Sequence, residues 1–194
     1  MANADVPRGL TPVRYLSGAP YNGAVNVYHI PATDTDAAAY IGALVKLTGG
    51  ADANGVATVT ANVATGNPVV GVVVGVVPDT ASSTIYRANS TARYVFVADD
   101  PNLLFEVQED SDGGALAATA AGATCCLTGF TSGSTTTGLS SIELDSSTLS
   151  EASDTDDDVR IIGLVRRADN AIGANAKWLV RLNVHQYVNA AVGV

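Results

Sequence analysis

The chain has 194 residues, which suits one large domain whose core needs neither disulfides nor metal ions to hold it together. Charged residues make up only 15% of it, against roughly 25% in typical soluble domains, so its polar surface consists mainly of Ser, Thr, Asn and Gly. The net charge is −9 and only two lysines occur. This argues against nucleic acid and anionic membranes as partners, because proteins bind both through clustered Lys and Arg.

Neither a membrane span nor a secretory signal is expected. The most apolar run, at residues 69–77, is far shorter than the roughly 20 residues that cross a bilayer. The first ten residues, MANADVPRGL, have no apolar stretch behind a basic start.

The N-terminal segment, residues 1–31, differs from the rest of the chain. Its four prolines disfavour a helix and predict an extended arm, and its net charge is +1 beside −10 for residues 32–194. An apolar, slightly basic arm suits docking onto a neighbouring subunit, and a strand folded back onto its own domain is the open alternative. The predicted subunit-interface residues are Val6, Leu10, Val13, Tyr15, Tyr21 and Tyr28.

The remainder, residues 32–194, is predicted to form a single β domain. Runs of β-branched residues or period-two alternation indicate several strands. The predicted strands are residues 69–77, 93–98, 103–108, 159–165 and 178–185. In the last of them, Trp178 heads the inner face and is expected in the core, while His185 is expected to point outward.

Short strands separated by turn residues predict an all-β fold, a single β-sandwich or barrel that is jelly-roll-like or a small tulip-like barrel. Asn22-Gly23 and Asn54-Gly55 are tight-turn signals. The only helix expected is a short one at residues 115–121, closed by Gly122.

Two acidic stretches, residues 99–112 and 143–158, hold six and seven of the 19 acidic residues and no basic one. Within the second, residues 154–158 space three aspartates like a calcium loop of the EF-hand type. The glycine and the final glutamate of such a loop are replaced by Val159 and Val165. We therefore interpret residues 146–158 as a solvated, mobile acidic loop without a metal ion.

No motif for catalysis or cofactor binding is found, so we expect no enzymatic activity, no cofactor and no metal site. Only two histidines occur, His29 and His185, and each is interpreted as an ordinary exposed or interface residue. The adjacent Cys125 and Cys126 are interpreted as small, partly buried hydrophobic residues, because neighbouring cysteines rarely bridge. The Arg166-Arg167 pair is expected to lie opposite an acidic loop rather than to clamp an anion.

Three stretches of the chain carry a resemblance: MANADVPRGLTPVRYLSGAPYNGAVNVYHIPATD at the start, ARYVFVADDPNLLFEVQED in the middle and IGANAKWLVRLNVHQY near the end. Together they resemble a group of structural proteins of tailed-phage virions.

The resemblance implies a head cement (decoration) protein, made in the bacterial host cytoplasm and bound to the outer capsid surface. The implied partners are the major capsid protein and further copies of the chain, as a dimer or trimer at a capsid symmetry axis, with no nucleic acid and no membrane. A tail-tube or head–tail connector protein and a carbohydrate-binding module of the virion surface remain alternatives.

Overall fold

A computed structural model describes residues 3–150 and 156–188 of the chain. The fold is nearly all β, with 38% of residues in strands and 3% in helices, which confirms the predicted fold class. The helices of the described residues are two single 3₁₀ turns, at Ala118–Ala120 and Ser146–Thr148, and none is long enough to cross a membrane.

The strands of the described residues form three groups. A closed barrel has the order β2-β4-β3-β5-β6, a five-stranded antiparallel sheet has the order β1-β7-β12-β11-β8, and β10 pairs with β9. The strands are β1 (Thr11–Tyr15), β2 (Asn26–Ile30), β3 (Leu44–Ala51), β4 (Ala57–Thr60), β5 (Gly71–Val76), β6 (Arg93–Ala98), β7 (Leu103–Gln108), β8 (Thr124–Cys125), β9 (Leu127–Thr128), β10 (Glu143–Leu144), β11 (Val159–Leu164) and β12 (Lys177–Leu182).

Two hydrophobic clusters hold these sheets together. The smaller cluster fills the barrel and includes Ile30, Val59 and Val95. The larger joins barrel residues such as Leu44 to the inner face of the five-stranded sheet, where Phe105 lies opposite Val180. Because the larger cluster draws on both sheets, barrel and sheet pack as one body.

The five predicted strands are confirmed as β5, β6, β7, β11 and β12, of which β7 and β12 were predicted from period-two alternation. Trp178 is 1% exposed, as expected of a core residue, and its indole N–H donates to the Glu109 carboxylate at 3.1 Å. The prediction for His185 is wrong, since this residue is 2% exposed. The strand ends at Leu182, so the alternation that placed His185 outside does not continue to it. The expected helix at residues 115–121 is reduced to the 3₁₀ turn.

The N-terminal segment folds on its own chain from residue 3 onward. The amide side chain of Asn3 donates to backbone carbonyls at 171 and 174, β1 pairs with β7, and β2 pairs with β6 inside the barrel. Leu10 and Tyr28 are 1% and 4% exposed within this chain. Their prediction as subunit-interface residues is therefore wrong, because the cores of the same molecule already bury them.

The acidic stretch at residues 146–158 differs from the expected solvated loop, although residues 151–155 lie outside the described residues. Asp157 and Asp158 are buried. Asp157 accepts a hydrogen bond from the Thr124 hydroxyl at 2.5 Å, and Asp158 accepts from the backbone N–H groups of Gly66 and Leu127 at 2.9 and 2.8 Å. Buried carboxylates need such donors, so these two residues serve as structural acceptors.

Candidate protein-binding surface

The outer face of the five-stranded sheet is the face that turns away from the larger core. Trp178 and Val180 point inward from β12, so Lys177, Leu179 and Arg181 point outward. Leu179 is buried yet belongs to neither hydrophobic cluster, which places its apolar contacts on this outer face.

A groove of about 750 Å³ crosses this face between β1 and β11. The large aliphatic residues of its lining include Val13, Ile162, Leu164, Ile172 and Leu179. Val13 and Ile172 are 40% and 46% exposed, so the groove leaves large aliphatic side chains in contact with water. Concave surfaces that combine apolar side chains with a few polar groups are common binding sites in proteins.

Two β-bulges border the groove. The pairing of β1 with β7 shifts between Pro12 and Arg14, and the pairing of β11 with β12 shifts between Ile161 and Gly163. Bulges redirect side chains from the regular alternation. The residues at the two shifts, Val13 and Ile162, both line the groove.

Basic residues are concentrated on the strands and loops of this sheet. Six of the ten basic residues of the chain lie there. They are Arg14, Arg160, Arg166, Arg167, Lys177 and Arg181. The register aligns Arg160, Arg181, Leu104 and Arg14 in one row across four strands. A chain with a net charge of −9 thus carries one basic face.

The basic residues differ in how they are bonded. Arg167 forms ion pairs with Glu106 at 2.9 Å and with Asp169 at 3.2 Å. Glu106 lies in strand β7 and Asp169 lies outside both acidic stretches, so the partners of Arg167 are not the expected acidic loop. The side chains of Arg14 and Arg166 are exposed and have no hydrogen bond or ion pair within residues 3–150 and 156–188. Both line the groove, which leaves their guanidinium groups free for a ligand.

The predicted interface residues are dispersed. Val13 alone lies in the groove. Val6 is 49% exposed, and its backbone N–H donates to the Gln108 side chain at 3.0 Å, while Tyr15 and Tyr21 pack partly buried against the larger core. Sequence reasoning missed Ile162, Leu164, Ile172 and Leu179, because bulges and non-local pairing bring them together without a local signal.

Hydrogen bonds among polar side chains join the barrel strand β2 to Asp99 and Tyr187. The Asp99 carboxylate accepts hydrogen bonds from the Tyr28 hydroxyl at 2.6 Å and from the Asn26 amide at 2.9 Å, and the Tyr28 and Tyr187 hydroxyls lie 2.8 Å apart. Burial, and then the hydrogen bond to Asp99, raise the pKa of Tyr28. A tyrosine that resists ionisation in this way acts as a structural hydrogen-bond donor rather than as a nucleophile or base.

One carboxylate cluster has a geometry that a cation could use. Asp110, Asp112 and Asp145 each bring an oxygen within 4.8 Å of the others. The Asp110 oxygen already accepts from the backbone N–H and hydroxyl of Ser146, both at 3.0 Å. Asp145 is far in sequence from the neighbouring Asp110 and Asp112, which is why no spacing motif revealed the cluster.

The thiols and imidazoles lack the surroundings of catalytic groups. Burial raises the pKa of Cys125 to about 12 and that of Cys126 to about 11, so both stay protonated at neutral pH. His185 accepts one hydrogen bond, from the Tyr187 backbone N–H, and His29 makes no side-chain hydrogen bond within the described ranges. Neither histidine activates a hydroxyl or thiol there.

Comparison with known proteins returns no match: no family model, no curated protein and no solved structure is similar to the chain.

Proposed function

We propose that this chain is a structural subunit of a tailed-phage virion, a head cement or decoration protein that binds the outer surface of the capsid shell and has no enzymatic activity. The observation that carries a binding role is the groove on the outer sheet face, where exposed aliphatic residues and unpaired arginines meet on an otherwise acidic chain. The resemblance of three stretches to virion proteins supports the placement in a phage particle.

The groove has the composition of the centre of a protein interface. Arginine is among the residues that contribute most to such contacts, and aliphatic side chains that lose water on binding add to them. Full burial of one aliphatic side chain contributes about 1.5–3 kcal/mol, and Val13 and Ile172 are only partly buried in the free chain. A partner that covers both residues therefore gains favourable binding free energy from their burial.

The proposed partners are the major capsid protein and further copies of the chain around a symmetry axis of the shell. Many symmetric copies turn individually weak contacts into stable decoration, because each bound copy raises the effective concentration of the next contact. Neither a cofactor nor nucleic acid has a role in this proposal.

The experiment compares tailed-phage particles assembled from the genome that carries this gene with particles that lack the protein. We expect the protein on the outside of the head, in a copy number set by the shell symmetry, and we expect particles without it to lose DNA at a lower temperature. Recovery only with tails, or absence from particles, would contradict the proposal.

A matched pair of variants tests the surface. Val13→Ser should lower head occupancy, since it removes an aliphatic side chain from the groove. Val27→Ser, which changes a valine of similar exposure (45%) on the barrel, should leave occupancy unchanged. Equal loss in both variants would show that the groove is not the contact.

A further inference from the structure

We infer that the groove binds an acidic, aliphatic segment of a partner protein, which places aliphatic side chains on the groove floor and carboxylates on Arg14 and Arg166. This inference rests on the proposed function and names the chemistry of the partner.

The floor of the groove selects aliphatic side chains. Its aliphatic lining is alanine, valine, isoleucine and leucine, and the one aromatic residue that contributes, Trp178, is 1% exposed and offers no ring face for stacking. Branched aliphatic groups fill such a floor without leaving polar atoms unpaired.

The arginines select carboxylates. Arg14 lies on β1 and Arg166 follows β11, so the two unpaired guanidinium groups belong to opposite borders of the groove. A guanidinium presents two parallel N–H donors that match the two oxygens of one carboxylate. The neighbouring row of Arg160 and Arg181 strengthens the positive potential of this face.

A nucleic acid fits this face less well. Single strands bind where basic grooves offer exposed aromatic rings for base stacking, and the lining has none. The remainder of the chain is acidic and would repel a phosphate backbone that extends beyond the groove.

The partner segment reaches the groove by its side chains and not by adding a strand to the sheet. The outer edge of β1 is already occupied, because the Tyr15 backbone N–H donates to Ala19 at 2.8 Å and the Tyr21 backbone N–H donates to Val13 at 3.1 Å. The segment therefore lies across the face, over the two bulges.

The test uses the full chain and three short synthetic peptides. The first alternates Asp with Leu and Val, the second has Lys in place of Asp, and the third has Ser in place of Leu and Val. Titration calorimetry should detect binding of the first peptide only, and the affinity should fall as salt is raised. A single-stranded oligonucleotide of mixed sequence is titrated in parallel.

Arg14→Glu and Arg166→Glu should each lower the affinity for the first peptide by about tenfold or more, since each removes a charge-assisted hydrogen bond. Arg8→Glu is the matched control, because Arg8 is also exposed and lies outside the groove lining. Loss of affinity in the control, binding of the lysine peptide, or tighter binding of the oligonucleotide would overturn the inference.

The outcomes separate the inference from the proposed function. Peptide binding by a protein that is absent from phage heads would contradict the cement role and leave the groove chemistry standing. Heads decorated by a protein that binds none of the peptides would overturn the groove chemistry alone.

Discussion

Arg160 and Arg181 lie directly opposite each other on β11 and β12, on the outer face of the five-stranded sheet. Like charges in such cross-strand positions destabilise a sheet. Each guanidinium compensates by donating to a backbone carbonyl at 2.8 Å, Arg160 to Gly122 and Arg181 to Pro101. A sheet that keeps this pair maintains a positive face at some expense of stability.

Arg160→Glu should therefore separate stability from binding. A glutamate opposite Arg181 replaces repulsion by attraction, worth up to about 1 kcal/mol for a cross-strand pair, and this offsets the lost bond to Gly122. We expect an unchanged or higher melting temperature together with weaker binding of the acidic peptide. A clearly lower melting temperature would show that the carbonyl contact, and not the charge pair, dominates at this position.

Trp178→Ala should destabilise the fold by about 3–5 kcal/mol, because it leaves a large cavity in the larger core. Trp178→Phe is the control that keeps most of the ring and removes only the N–H donated to Glu109. Urea denaturation of both variants measures the two effects, and a phenylalanine variant as unstable as the alanine one would assign the stability to the hydrogen bond.

Stability should rise as the pH falls from neutral towards the ordinary glutamate value of 4.5. Burial raises the pKa of Glu109, Glu143 and Asp158 in the folded chain. A carboxyl group with a raised folded pKa contributes stability below its unfolded pKa and loses it as the pH rises through the folded value.

Unfolding curves across this range, recorded for the wild-type chain and for Glu109→Gln, check the expectation. The variant should show a shallower pH dependence because its amide does not titrate. Burial lowers the pKa of His185 below its ordinary 6.5, so this one group opposes the three carboxyl groups within the same range. Acids with a lowered pKa, such as Asp52 at about 2, act in the opposite direction only at more acidic pH. A wild-type chain that loses stability between neutral pH and 4.5 would contradict the prediction.

Removal of residues 1–30 should unfold the protein rather than spare its body. The deletion takes away β2, which closes the barrel between β4 and β6, and Leu10, which is 1% exposed in the larger core. Circular dichroism and a melting curve measure the result. A chain that lacks only residues 1–5 is the control and should still melt cooperatively, whereas a folded chain without residues 1–30 would show that the N-terminal strands are dispensable.

Local pattern was sufficient to predict some elements and not others. Residues 93–98 and 103–108 coincide with β6 and β7, because a run of strand-forming residues, or alternation within one strand, is visible in the sequence. The strand order of the barrel could not be predicted from the sequence, since β2 pairs with β4 and β6, which lie in distant parts of the chain. The groove escaped prediction for a related reason: Val13 and Ile162 lie at bulges, where the period-two rule that identifies a strand fails.

The order of the strands along the chain has a consequence for synthesis on the ribosome. All five barrel strands lie between residues 26 and 98, whereas the five-stranded sheet combines β1, near the N-terminus, with β7 and with strands as late as β12. The barrel is complete in the nascent chain while the sheet still lacks four of its five strands. Until β12 emerges, the sheet that covers Leu44 and Val72 of the barrel is incomplete. We therefore expect formation of the five-stranded sheet to limit the rate of folding. The nascent chain is then most prone to aggregation in the interval before β12 is made.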